Sequence, residues 1–155
     1  MAETITRRLD YIHIAPAGAR AFGGFYGYIM QSGLPAELVE FVYPRISQIN
    51  NSAHWIDANT RDLTARGVPM EKIALVQNWA ECGRLFSETE RAALAWTEVV
   101  MRAAQTGVPD EAYQAARAIF REKELVDLTI AVTLMSAYNH MAIAFRNPPY
   151  PAIKK

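Results

Sequence analysis

Apolar positions recur along the chain three and four residues apart and nowhere alternate convincingly, so the pattern predicts helices and no strand. Pro16 to Gln31 reads as a helix with proline in its first turn, and Phe22, Phe25, Tyr26 and Ile29 share one face. Ser32 and Gly33 end it. Gly23 and Gly27 lie four apart beside Gly24, which fits either a close helix crossing or subunit contact, or a loosely formed helix. Pro35 opens a second helix whose stripe is Leu38, Val39, Val42, Ile46 and Ile49, broken by Asn50, Asn51 and Ser52. Ser52 is placed to cap a third helix, which runs towards Arg66 and stops at Gly67. A short helix follows Pro69. Ser87 and Glu90 spell a capping box, so the next helix starts near Glu88, with Gly107 as its stop. Pro109 to Ile119 and Glu122 to Phe145 complete the set, before Asn147, Pro148, Pro149 and Pro151 forbid continuation.

The expectation is an all-α, single-domain helical bundle of about six or seven helices spanning residues 1–155, with no internal repeat or linker. Its size and its 51% hydrophobic content suffice for one buried core. Leu128 to Phe145 lacks Asp, Glu, Lys and Arg and is long enough to be weighed as a membrane span. Its Thr129, Thr133, Ser136, Asn139 and His140 favour a buried central helix instead.

Charge narrows the function classes. Sixteen basic residues balance sixteen acidic ones without a long block of either sign, so neither nucleic acid nor an anionic membrane is an expected partner. The sole cysteine, Cys82, allows no internal disulfide and no CxxC pair. Arg7 and Arg8 precede no apolar secretory segment, and a cytoplasmic location is expected. His13, His54 and His140 show no metal-ligand spacing, and no metal or cofactor is expected.

The run LVEFVYPRISQINNSAHWIDANTRDLTARG, residues 38–67, resembles the core segment of the alkylhydroperoxidase-D (AhpD-like) and carboxymuconolactone decarboxylase family. RLDYIHIAP, LFSETERAALAWTE and EKELVDLTIAVTLMSAYNHMAIAFR resemble the same family in matching order, so the likeness covers most of the chain. It implies an AhpD-like helical fold and a homo-oligomer, whether dimer, trimer or hexamer. The family's activity is of peroxiredoxin type, and its decarboxylase members act on lactone acids. The family's working motif is a glutamate, eleven residues, CxxC, three residues, then histidine. Aligned on SQIN, the glutamate falls on Glu40, the two cysteines on Ser52 and Trp55, and the histidine on Asn59.

Positions 52, 55 and 59 share one helix face, which is why that spacing serves a thiolate, its resolving partner and a proton relay. A thiolate favoured by a helix N-terminus attacks the peroxide O–O bond, and a second thiol resolves the sulfenic acid. Ser52 cannot run that cycle, so thiol peroxidase turnover of the family type is not expected. Trp55 either reshapes the pocket or joins the core, and its indole N–H needs an acceptor. Glu40 is a candidate acid or base; its alternative is an ion pair or a favourable place near a helix N-terminus. Pro44 lacks the N–H that would meet the Glu40 carbonyl, which predicts a kink there. His54 could supply a ring nitrogen, although its place in the helix turns it off the shared face. Asn139 is expected to be a buried amide satisfied by backbone groups.

Three functions are then open. The first is a thiol-independent small-molecule protein using Glu40, with His54, Ser52 or Tyr43 in support. The second is a non-catalytic oligomeric homologue whose Trp55 and Asn59 have become fully buried packing. The third is a peroxidase working through Cys82 with an external reductant.

Overall fold

The computed structural model describes residues 5–150. Ten α-helices and two short 3-10 helices make up the described chain. They are α1 (Tyr11–Ile14), α2 (Pro16–Gln31), α3 (Ala36–Glu40), α4 (Val42–Ile49), α5 (Ala53–Ala65), α6 (Met70–Ala74), α7 (Glu88–Met101), α8 (Ala103–Thr106), α9 (Asp110–Ile119) and α10 (Glu122–Ala144). The 3-10 helices, Val76–Glu81 and Gly83–Leu85, bridge α6 to α7.

Seven expected helices become ten through local interruptions and one addition. α1 is the addition; Asp10 accepts the His13 backbone N–H at its start. The second expected helix divides at Phe41 into α3 and α4, because Pro44, third residue of α4, has no N–H to give the Glu40 carbonyl. The kink predicted from Pro44 is thus a one-residue interruption. The helix starting at Glu88 divides at Arg102, whose φ of −106° and ψ of 15° leave the helical range, and α8 then stops at left-handed Gly107.

The Ser87 capping box forms in full: the Ser87 hydroxyl accepts the Glu90 N–H, and the Glu90 carboxylate accepts the Ser87 N–H at 2.7 Å. Ser52 behaves differently and corrects the capping expectation. It occupies the N-cap position of α5, but its hydroxyl accepts no helix N–H and lies buried without a partner. The turn is held by backbone instead, with the Ser52 N–H on the Ser47 carbonyl at 2.9 Å.

α10 is the axis of the molecule. Leu128, Ala131 and Val132 on it are fully buried, and α2, α4, α7 and α9 pack around it. Its apolar residues encircle it, as expected of a helix covered on most sides. No described helix is long and apolar enough to cross a membrane. One hydrophobic cluster joins Leu38, Val42 and Ile46 to Trp96, Leu128 and Val132. A second, of Phe41, Leu63, Ile73, Val76, Phe86 and Leu94, fixes the far end of α5 and the 3-10 segment. α2 is held to α10 by Asp127, 2% exposed, which accepts the Tyr28 hydroxyl at 2.9 Å and the Lys123 ammonium at 2.5 Å. A Cβ added at Gly23, Gly24 or Gly27 would meet no atom within 4 Å, so no other described helix crosses α2 closely there.

Candidate functional site

The interruption after Glu40, the start of α5 and the middle of α10 converge on one cavity of about 630 Å³. Its walls include Glu40 and Tyr43 on either side of the α3–α4 break, Trp55 and Asn59 on α5, Tyr26 on α2, and Met135 and Tyr138 on α10. Three of the four residues aligned with the family's working groups therefore face one space. Ser52 and His54 are not on its wall. Ser52 is sealed in the interior at 2% exposure. His54 is half-buried, and its Nδ1 donates to the Pro148 carbonyl at 2.7 Å, pinning the segment after α10.

Hydrogen bonding fixes what each wall residue can offer. Trp55 Nε1 donates to the Tyr138 carbonyl at 3.0 Å, and the two rings lie 5.4 Å apart, so the indole ties α5 to α10 and presents only its apolar surface. The Ser47 hydroxyl donates to the Tyr43 carbonyl at 2.9 Å, which leaves its oxygen to accept Asn59 Nδ2 at 3.0 Å. That chain fixes the Asn59 amide, since its NH₂ must face Ser47 and its carbonyl oxygen is left as an acceptor.

Glu40 sits at the cavity edge with its side chain 15% exposed, and Arg66 approaches it to 3.7 Å. That separation is an ion pair but exceeds a hydrogen bond. Arg66, 44% exposed, also reaches Asp62 at 3.4 Å. Tyr43 is the buried polar member: its hydroxyl has no partner, and burial, reinforced by Tyr26 and Tyr138, pushes the phenol well above its ordinary range. It is protonated at any physiological pH.

The second sequence reading required Trp55 and Asn59 to be fully buried, whereas both keep partial exposure and line open space. Cys82 lies between the two 3-10 helices, outside the cavity wall, with its thiol 3.2 Å from the Asn78 carbonyl. Asn139 meets its expectation by half: Nδ2 donates to the Met135 carbonyl at 2.8 Å, while Oδ1 is buried without a partner. No group of three or more His, Cys, Asp or Glu among the described residues is placed to hold a metal.

Reasoning from sequence missed Asp62, Arg66, Tyr26 and Tyr138 as wall residues. The first two were legible, because positions 59, 62, 63 and 66 follow the helical spacing that continues the Asn59 face. Tyr26 and Tyr138 depend on how α2 and α10 dock, which spacing within either helix does not encode.

The carboxymuconolactone decarboxylase family model matches residues 16–99. The chain belongs to this family. It is 31% identical over 143 residues to the uncharacterized protein YdfG of Bacillus subtilis, covering 92% of this chain and 97% of that one. Its fold superposes with a TM-score of 0.88 on a crystal structure from Agrobacterium tumefaciens, at 30% identity, covering 93% of this chain and 98% of that one. That protein is described as of unknown function, with a suggested role in antioxidant defence as AhpD. The family assignment and the AhpD-like all-α fold agree with the resemblance read from the sequence.

Proposed function

We propose that this family member is a thiol-independent small-molecule protein, binding its ligand in the cavity beside Glu40 and using that carboxylate as hydrogen-bond acceptor or acid/base group. The observation that carries this reading is the cavity of about 630 Å³, a size that suits a small organic ligand, with Glu40, Tyr43, Trp55 and Asn59 on its wall. Ser52, Trp55 and Asn59 stand where the family places cysteine, cysteine and histidine, so disulfide cycling has no thiols to run on. Glu40→Gln keeps the shape and removes the charge. It is expected to weaken ligand binding about tenfold or more, the scale of one charge-assisted hydrogen bond, with the thermal midpoint little changed. Unchanged binding in that variant would remove Glu40 from the reading. Cys82→Ser is expected to leave binding untouched, and a loss there would favour the Cys82 peroxidase instead.

Exposed Phe25, Tyr26, Tyr28 and Met30 on α2 support the homo-oligomer that family membership suggests, as do the unapproached Gly23 and Gly27. Sedimentation of the purified protein tests it, and a monomer at micromolar concentration would count against it. A reducing, cytoplasmic setting accords with the lone free thiol, and the balanced charge gives nucleic acid and anionic membranes no footing.

A further inference from the structure

The polar equipment of the cavity is lopsided. Glu40 and Asp62 are carboxylates, and the single cation on the wall, Arg66, is already shared between them at 3.7 and 3.4 Å. Two negative charges against one positive leave the wall negative. The neutral groups beside Glu40 offer an acceptor as well. Asn59 has given one N–H to Ser47 and retains its acceptor oxygen and a second N–H, while Trp55 has given its only N–H to the Tyr138 carbonyl. Apart from the tyrosine hydroxyls, of which that of Tyr43 is an unpartnered donor, the rest of the wall is aliphatic, aromatic and thioether surface, and Glu40 lies beyond hydrogen-bond reach of its own counter-ion.

From this we infer that the cavity selects a cationic amine carried on a flat apolar body, with the ammonium donating to Glu40 and the Asn59 carbonyl and the body lying against Trp55 and Tyr138. This rests on the ligand-pocket reading above and goes further, to the charge class of the ligand. An ammonium supplies the donors that Glu40 and the Asn59 oxygen lack, and its charge is favoured both by the carboxylates and by the faces of the aromatic rings. A carboxylate ligand would share Arg66 with Glu40 and Asp62, setting three anions against one cation. A neutral alcohol can donate one hydrogen bond but gains nothing from the net charge, and should fall between the two.

A matched series separates these cases: tryptamine, tryptophol and indole-3-acetate share one skeleton and differ in charge. Trp55 is the only one of the three tryptophans on the cavity wall, so its indole N–H resonance in a ¹H–¹⁵N spectrum, assigned with Trp55→Phe, reports binding at this site. Tryptamine is expected to shift that resonance with a dissociation constant about tenfold or more below that of indole-3-acetate, a difference of roughly 1.4 kcal/mol or more. The preference is expected to collapse in Glu40→Gln and to shrink in Asp62→Asn. Indole-3-acetate binding at the Trp55 resonance as tightly as tryptamine would overturn the charge assignment while leaving the ligand pocket standing. An amine preference unaltered in both variants would also overturn it. If none of the three moves the Trp55 resonance at millimolar concentration, the pocket reading fails and this inference fails with it.

Discussion

The unpartnered Tyr43 hydroxyl makes a prediction with a definite sign. A buried hydroxyl that has left water without gaining a protein hydrogen bond carries its desolvation as a cost of about 1–3 kcal/mol. The Tyr43 oxygen is in that state, and burial is the leading reason its phenol is held protonated. Tyr43→Phe removes the oxygen and keeps the ring that packs against the first hydrophobic cluster. Against the gain stands a void of roughly 10–20 Å³, about 0.2–0.5 kcal/mol at ~24 cal/mol per Å³. The net is a stabilisation of about 0.5–3 kcal/mol, or roughly 1–12 °C in thermal midpoint for a domain of this size. Urea titration followed by circular dichroism gives the free energy, and an unchanged slope confirms that the same transition is being compared. A variant less stable than the parent would refute the reasoning, since it would mean that the hydroxyl is hydrogen-bonded in the folded protein.

Two serines at helix starts should answer oppositely to alanine. Ser87→Ala breaks a complete capping box and is expected to cost about 0.5–2 kcal/mol, whereas Ser52→Ala removes an unpartnered buried hydroxyl and is expected to be neutral or stabilising, both read by thermal melts. Equal losses in the two would show Ser52 to be a working cap. Acid should act at Asp57, whose carboxyl is held below its ordinary range first by the Arg61 guanidinium and also by the Tyr150 backbone N–H. Because the folded value is lowered, its contribution is present above the unfolded carboxylate range near pH 4 and is lost as pH falls through the folded value. Asp57→Asn is therefore expected to lower stability at pH 7 by an amount that shrinks as the solution is acidified below the unfolded carboxylate range; a difference that stays constant into acid would contradict this.

How much of this was legible depends on the range of the interaction involved. The Ser87–Glu90 box, the Gly67 and Gly107 stops and the Pro44 interruption are decided within one helical turn, and each stands where residue chemistry places it. Gly67, at φ +81°, shows why: glycine takes that conformation without strain, so the end of α5 is written in one residue. Ser52 misled because cap preference is a statement about a residue type near a helix start, while the outcome depends on where the hydroxyl turns. Asp127 was not singled out at all. A carboxylate in a long, largely apolar helix gives no sequence sign that Tyr28, 99 residues away, will meet it.

The cavity shows the same division, and Trp55 shows how a large ring on its wall need not close it. Had Trp55 turned into the interior of the bundle, its ring would have filled that space. Its N–H is instead captured by the Tyr138 carbonyl, because a buried indole donor must find an acceptor, and α10 offers one across from α5. That bond holds the ring against Tyr138 and makes it a wall. The residue that could have erased the pocket therefore shapes it, and Glu40, placed at the end of α3 by Pro44, keeps an open space in front of it.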